Sequence, residues 1–162
     1  MDCRHIRFCA QRSAIDLYQL QELFNLAAFW ARERKIEDLE IAINNSNPVV
    51  TVWEGNRIIG FARATSDGIY RATIWDVIVH PEYQGLGLGR KLVETVLSQP
   101  LVNRVERVYL MTTHQQNFYE RIGFQENSTT TMVLYNSSGA SPLPIPEQLP
   151  LQERWEADTV TV

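Results

Sequence analysis

The sequence predicts an α/β (α+β) fold in which about four helices cover a mixed sheet of six to seven strands. Three observations carry that expectation. Runs at 49–53, 58–64 and 70–80 are rich in β-branched and aromatic residues, as strands are. Other segments place apolar residues at i, i+3 and i+4, the spacing of one helix face. The two kinds of segment alternate along the chain instead of falling into separate blocks. With 162 residues, 44% of them hydrophobic and 21% charged, the chain can bury a sizeable core without disulfide or metal support.

Taken in order, residues 4–9 (R-H-I-R-F-C) alternate like a strand. Residues 14–28 carry Ile15, Leu17, Tyr18, Leu20, Leu23, Phe24 and Leu26 as a helical stripe, with Ser13 as the expected N-cap. Lys35–Asn45 reads as a second helix, stopped by the cluster N-N-S-N-P. Residues 49–53 and 58–64, joined by E-G-N-R, read as a hairpin, and S-D-G turns the chain into the long strand 70–80. A helix from Leu88 to Ser98 and a strand at 105–111 follow. A short helix over Gln116–Ile122, a strand opened by Phe124, and T-T-T-M-V-L-Y (129–135) as a last strand complete the order.

Composition excludes several functions. Nineteen acids against fifteen bases leave a net charge of −4, so no positive field collects nucleic acid. His5, His80, His114, Cys3 and Cys9 are too scattered for a zinc site, and no metal is expected. No apolar run approaches the roughly 18 residues of a membrane span, and the N-terminus lacks an apolar signal-like stretch. Cys3 and Cys9 share one expected strand and read as reduced thiols. The expectation is a cytoplasmic protein with no membrane or nucleic-acid partner; a homodimer is compatible with the sequence.

Composition shifts near residue 136, dividing the chain into a folded domain, 1–135, and a Pro-rich acidic extension, 136–162. Pro142, Pro144, Pro146 and Pro150 disfavour helix and central strand there. Glu147, Glu153, Glu156 and Asp158 against Arg154 give the extension −3, leaving −1 for the domain. The extension reads as solvated chain, or as a segment that docks Leu143, Ile145, Leu149 or Trp155 on its own domain or a neighbour.

Three of the eight glycines lie at 85, 87 and 89, between the longest strand and a helix. There, backbone N–H groups converge on an anion at the positive end of a helix dipole. A Walker A loop fails, because Arg90 stands where its second glycine belongs and Leu92 replaces the Ser/Thr that holds magnesium. The dinucleotide fingerprint fails because Arg90 occupies the position of its third glycine. What fits is Gln84-x-x-Gly87-x-Gly89 followed by Arg90-Lys91.

That pattern resembles the pyrophosphate loop of the GNAT superfamily of acetyl-CoA-dependent N-acetyltransferases. The stretch V-I-V-H-P-E-Y-Q-G-L-G-L-G-R-K-L (77–92) is similar to the family's central motif, and N-F-Y-E-R-I-G-F (117–124) to its distal signature. The resemblance covers residues 4–135. I-W-D-V ahead of the glycine loop is similar to a cyanobacterial and chloroplast branch that includes plant serotonin N-acetyltransferases and plastid protein acetyltransferases. The resemblance implies a mostly antiparallel sheet, acetyl-CoA as co-substrate, and an amine acceptor, either a small molecule or a protein amine. It places the pantetheine arm against Val77, Ile78 and Val79, and the pyrophosphate on the amides of Gly85, Leu86, Gly87, Leu88, Gly89 and Arg90. Gln84 belongs to the same loop, Asn117 contacts the cofactor, and Tyr119 reaches the CoA sulfur as general acid. An N–H of Val77 or Ile78 is the expected oxyanion donor.

Asp76 interrupts T-I-W-D-V-I-V, and period 2 sets it on the face of Ile74 and Ile78. A carboxylate in a central strand needs a reason. It is either a general base, acting directly or through water, or half of a buried ion pair with Arg63 or Arg71. His114 competes as base but sits in a loop, and His80 reads as a strand-end residue. Phe29, Trp30, Trp53, Tyr70 and Trp75 are core or acceptor-pocket aromatics. A non-catalytic acyl-CoA-binding regulatory module is the alternative to an enzyme.

Overall fold

The computed structural model describes residues 5–129 and 131–134. The chain divides into two compact units, Met1–Gln125 and Glu126–Val162, a boundary that precedes the composition shift. In the first unit the elements run β1 (Ile6–Cys9), α1 (Leu17–Ala27), α2 (Ile36–Asn44), β2 (Val49–Glu54), β3 (Arg57–Ser66), β4 (Arg71–Val79), α3 (Leu88–Leu97), β5 (Arg107–Tyr109) and α4 (Gln116–Glu120). The sheet order is β1-β2-β3-β4-β5. Neighbours are antiparallel except for β4 and β5, which run parallel over Arg71–Thr73 and Arg107–Tyr109. No helix among the described residues is long and apolar enough to cross a membrane.

The sheet separates two cores. On one face Val50, Val52, Ile59 and Ile74 pack with Leu92, Val93 and Val96 of α3. On the other, Val49, Phe61 and Ile78 pack with Leu20, Leu23 and Phe24 of α1 and Leu39 and Ile43 of α2. Burial on both faces explains why β2 and β3 read as continuous apolar runs.

Five expectations are corrected. The cap of α1 is Asp16, whose Oδ1 accepts from the amides of Tyr18 (3.0 Å) and Gln19 (3.2 Å), while Ser13 lies in a 3-10 turn over Arg12–Ala14. The described residues form five strands, fewer than the six to seven expected. Phe124 opens no strand, because its amide closes the end of α4 on the Tyr119 carbonyl at 3.1 Å, beside Gly123 at φ 112°. In the second unit residue 129 and residues 131–134 carry no strand and are exposed; residues 130 and 135 lie outside the described set, as does the whole extension 136–162. β-rich composition favours a strand but does not supply the partner edge that makes one.

The fifth correction concerns Asp76. It adopts φ 52°, and the β3–β4 register slips from Phe61↔Ile78 to Arg63↔Trp75 around it. The extra residue of this bulge reverses the side-chain phase. Ile74 therefore packs in the α3 core and Ile78 in the α1–α2 core, instead of sharing one face.

Candidate functional site

The glycine loop forms the anion cradle its composition implies. After β4, Pro81–Tyr83 makes a 3-10 turn, and Gly87 begins α3 as its N-cap at φ 79°. Gly85 has the same φ, and nothing lies within 4 Å of where a Cβ would stand at either position. The last amide before the loop with a protein partner is Gln84, bonded to Pro81 O; the next is Lys91, bonded to Gly87 O at 3.2 Å. Among the described residues, the amides of Gly85, Leu86, Gly87, Leu88, Gly89 and Arg90 thus have no protein acceptor. Six consecutive donors at the start of a helix suit a pyrophosphate. The neighbouring cations are already engaged: Arg90 Nε pairs with Glu94 at 2.7 Å, and Lys91 Nζ lies 4.9 Å from the Phe8 ring centroid.

Beside the cradle, β4 has an open edge. Among the described residues it pairs with β5 only through Thr73, and from there to Val79 that edge has no strand beside it while the other edge stays paired with β3. The amide of His80 donates to Ile59 O at 2.8 Å, so the alternation of an antiparallel ladder turns both backbone groups of Ile78 toward Phe61 on β3. The carbonyl of Val77 and the amide and carbonyl of Val79 consequently face the opened side. Gln84 Nε2 reaches the Val79 carbonyl there at 3.0 Å. Of the two expected oxyanion donors, Ile78 directs its amide at β3, whereas Val77 directly follows the bulge at Asp76.

α4 closes the third side. A Cβ on Gly89 would meet Phe118 Cζ at 3.5 Å and Val79 Cγ2 at 3.8 Å, so the loop, β4 and α4 converge. Tyr119 stacks edge-on against Phe118 (4.9 Å) and Phe124 (5.8 Å). Burial raises its phenol above the usual value, and a phenol is already protonated at neutral pH, as a proton donor must be. Its hydroxyl has no hydrogen bond among the described residues, and Asn117 is exposed at the start of the same helix.

On the opposite face of the sheet Asp76 forms the ion pair with Arg63 (Nε to Oδ2, 2.7 Å), together with a partner that spacing does not reveal. Arg34 Nη1 lies 3.2 Å from both carboxylate oxygens. Arg71, the other expected partner, pairs with Glu106 at 3.0 Å. Arg63 Nη1 also donates to Ser46 Oγ at 3.0 Å. The Asp76 side chain is only 6% exposed, and these contacts occupy three of its roughly four acceptor sites, leaving one on Oδ1. No sequence signal singles out Arg34, one of three charged residues in a row before Lys35.

The other residues separate by environment. His80 is buried at the end of β4, with Arg57 Nη2 at 2.7 Å. Burial first and the Arg57 charge second lower its pKa, which suits a strand-end residue. His114 is exposed in the loop after β5. Trp53 is core, its Nε1 donating to Thr51 Oγ1 at 2.8 Å. Trp75 donates to Thr65 Oγ1 at 2.9 Å, and Tyr70 is exposed. Phe29 (68% exposed) and Trp30 (53%) form an edge-on pair in the turn between α1 and α2. Among the described residues no three His, Cys, Asp or Glu side chains are grouped to hold a metal.

Comparison with known proteins agrees with this geometry. The sequence pattern of the Acetyltransferase (GNAT) family matches residues 15–124. "Uncharacterized N-acetyltransferase ycf52-like" of Prochlorococcus marinus is 42% identical over 105 residues, covering 62% of this chain and 57% of the relative. "Serotonin N-acetyltransferase 2, chloroplastic" of Oryza sativa subsp. japonica is 33% identical over 127 residues, covering 72% and 61%. The chain thus spans less than two thirds of either relative. In three dimensions it is similar to the crystal structure of a putative acetyltransferase from Xanthomonas campestris, with a TM-score of 0.70 at 25% identity over 80% of this chain and 94% of that one.

Proposed function

The chain belongs to the GNAT family of acetyltransferases, and from that membership we propose that it transfers an acetyl group from acetyl-CoA to a primary amine within a ternary complex. The observation that carries this reading is the run of six unpartnered amides, 85–90, beside the unpaired edge of β4. That cradle fits the pyrophosphate, with Gln84 bracing the loop against Val79 and Asn117 contacting the cofactor from α4. The groups of Val77 and Val79 on the open edge fit the amides of pantetheine, while Ile78 anchors the strand to the α1–α2 core. When bound, acetyl-CoA supplies the thioester.

The protein then has three tasks. The Val77 amide donates to the developing negative charge on the acetyl oxygen. Tyr119, a neutral phenol at physiological pH, protonates the departing thiolate. The free acceptor site on Asp76 Oδ1 holds a water that draws the proton from the amine. The acceptor is an arylalkylamine or a protein lysine or N-terminal amine; the name of the rice relative supports the first. The protein acts from the cytoplasm in this reading.

The test is free CoA release across serotonin, tyramine, polyamines and lysine peptides. Tyr119→Phe and Asp76→Asn should each lower kcat about a hundredfold while leaving acetyl-CoA affinity within about twofold. Unchanged turnover in both variants defeats these roles. Acetyl-CoA stabilisation without turnover of any amine identifies a binding module instead.

A further inference from the structure

The described residues contain two non-glycine residues at positive φ, Glu33 at 63° and Asp76 at 52°. They meet at a single ion pair. Glu33 immediately precedes Arg34, whose Nη1 is 3.2 Å from both oxygens of Asp76. Left-handed backbone at a residue with a Cβ costs energy and persists only where surrounding contacts hold it. One partner of the bond therefore sits in a strained bulge, and the other directly follows a strained turn residue.

The bond is also the centre of a larger attachment. Arg34 lies just before α2, its carbonyl accepts from Gln21 Nε2 of α1 at 2.8 Å, and its guanidinium sits 5.1 Å from the Phe24 ring centroid. At the other end of α2, Ser46 Oγ donates to Ala42 O (2.7 Å) and accepts from Arg63, which bonds Asp76. Asp76 thus fastens both ends of α2 to the bulge of β4. The fastening beyond Ser46 is internal, whereas Arg34 secures the turn that displays Phe29 and Trp30.

We propose that Arg34 is a positioning residue for the amine acceptor: its ion pair with Asp76 latches the turn between α1 and α2 against the bulge where β4 parts from β5. This rests on the acetyltransferase reading above, since the open edge of β4 marks the place where the acyl group is presented. Asp76, the base in that reading, lies on the face of the sheet that α1 and α2 cover, opposite α3 and its pyrophosphate cradle, so the amine approaches from the side of this turn. Loss of the latch therefore weakens acceptor use without touching cofactor capture.

The experiment compares the full chain with Arg34→Met and Arg34→Lys. Met keeps the contact with Phe24, and the Arg63 bond still pairs the Asp76 carboxylate, so the variant folds. Hydrogen exchange should accelerate in Arg34→Met at the amides of Ala31 and Glu33, which bond Ala28 O and Asn25 Oδ1, while the β2–β3 hairpin stays protected. KM for the amine should rise about tenfold or more, with acetyl-CoA Kd within about twofold; Arg34→Lys should recover most of the loss. Unchanged exchange at Ala31 and Glu33 overturns the latch. An unchanged amine KM, or an acetyl-CoA Kd that worsens in step, overturns the positioning role. If the wild-type chain turns over no amine, the acetyltransferase reading fails and the positioning role with it, and the exchange measurement still decides the latch.

Discussion

At the scale of single residues, Gly87 bears two demands at once. It begins α3 in the left-handed region, and the open space over it is where an anion must approach the loop amides. A valine there would be strained by about 1–2 kcal/mol, and its branched side chain would stand in front of the donors. Gly87→Val should lower the melting temperature modestly and weaken acetyl-CoA binding by more than about tenfold, as titration calorimetry would measure. Binding left intact would show that the cofactor is held elsewhere. Such residues were legible in the sequence because glycine spacing before a helix has few physical uses. Arg34 was not, because an ion pair between residues 34 and 76 leaves no local pattern. Asp76 was half legible: a carboxylate among apolar strand residues announces itself, but its partners and its bulge do not.

At the scale of elements, β2, β3 and α3 follow their hydrophobic patterns closely, since all three depend on burial that the apolar pattern records. The failures occur where tertiary partners decide. Phe124 became the closing residue of α4, and Asp76 shifted the phase of β4. The junction after β4 offers a test of its own. His80 ends the strand, bonds back to Ile59, and caps the turn that leads into the glycine loop. Its pKa in the folded state is lowered, by burial and then by Arg57. The unfolded chain then binds more protons than the folded one below the ordinary histidine value of about 6.5. Stability is complete above that value and declines as pH falls through it toward the folded-state pKa. The melting temperature should therefore drop between pH 7.5 and 5.5, and His80→Gln should flatten that slope. Identical slopes in the two proteins would remove His80 from the acid sensitivity.

At the scale of the whole chain, charge and chemistry are separated. The net −4 divides into −3 over residues 136–162 and −1 over residues 1–135, so the part carrying the site has almost no net field to draw in an anionic cofactor. Its nearest cations, Arg90 and Lys91, are bound to Glu94 and stacked on Phe8. What remains is the partial charge of six amides at contact range and the start of the α3 dipole. Interactions of that kind act well inside the roughly 10 Å Debye length at 0.1 M salt and are little screened. Acetyl-CoA affinity should accordingly change by no more than about threefold between 50 and 250 mM KCl, measured by calorimetry in the full chain. The double variant Arg90→Ala, Lys91→Ala should lose only about three- to tenfold in affinity. A steep salt dependence, or loss of binding in that variant, would mean that side-chain cations and not backbone donors capture the cofactor.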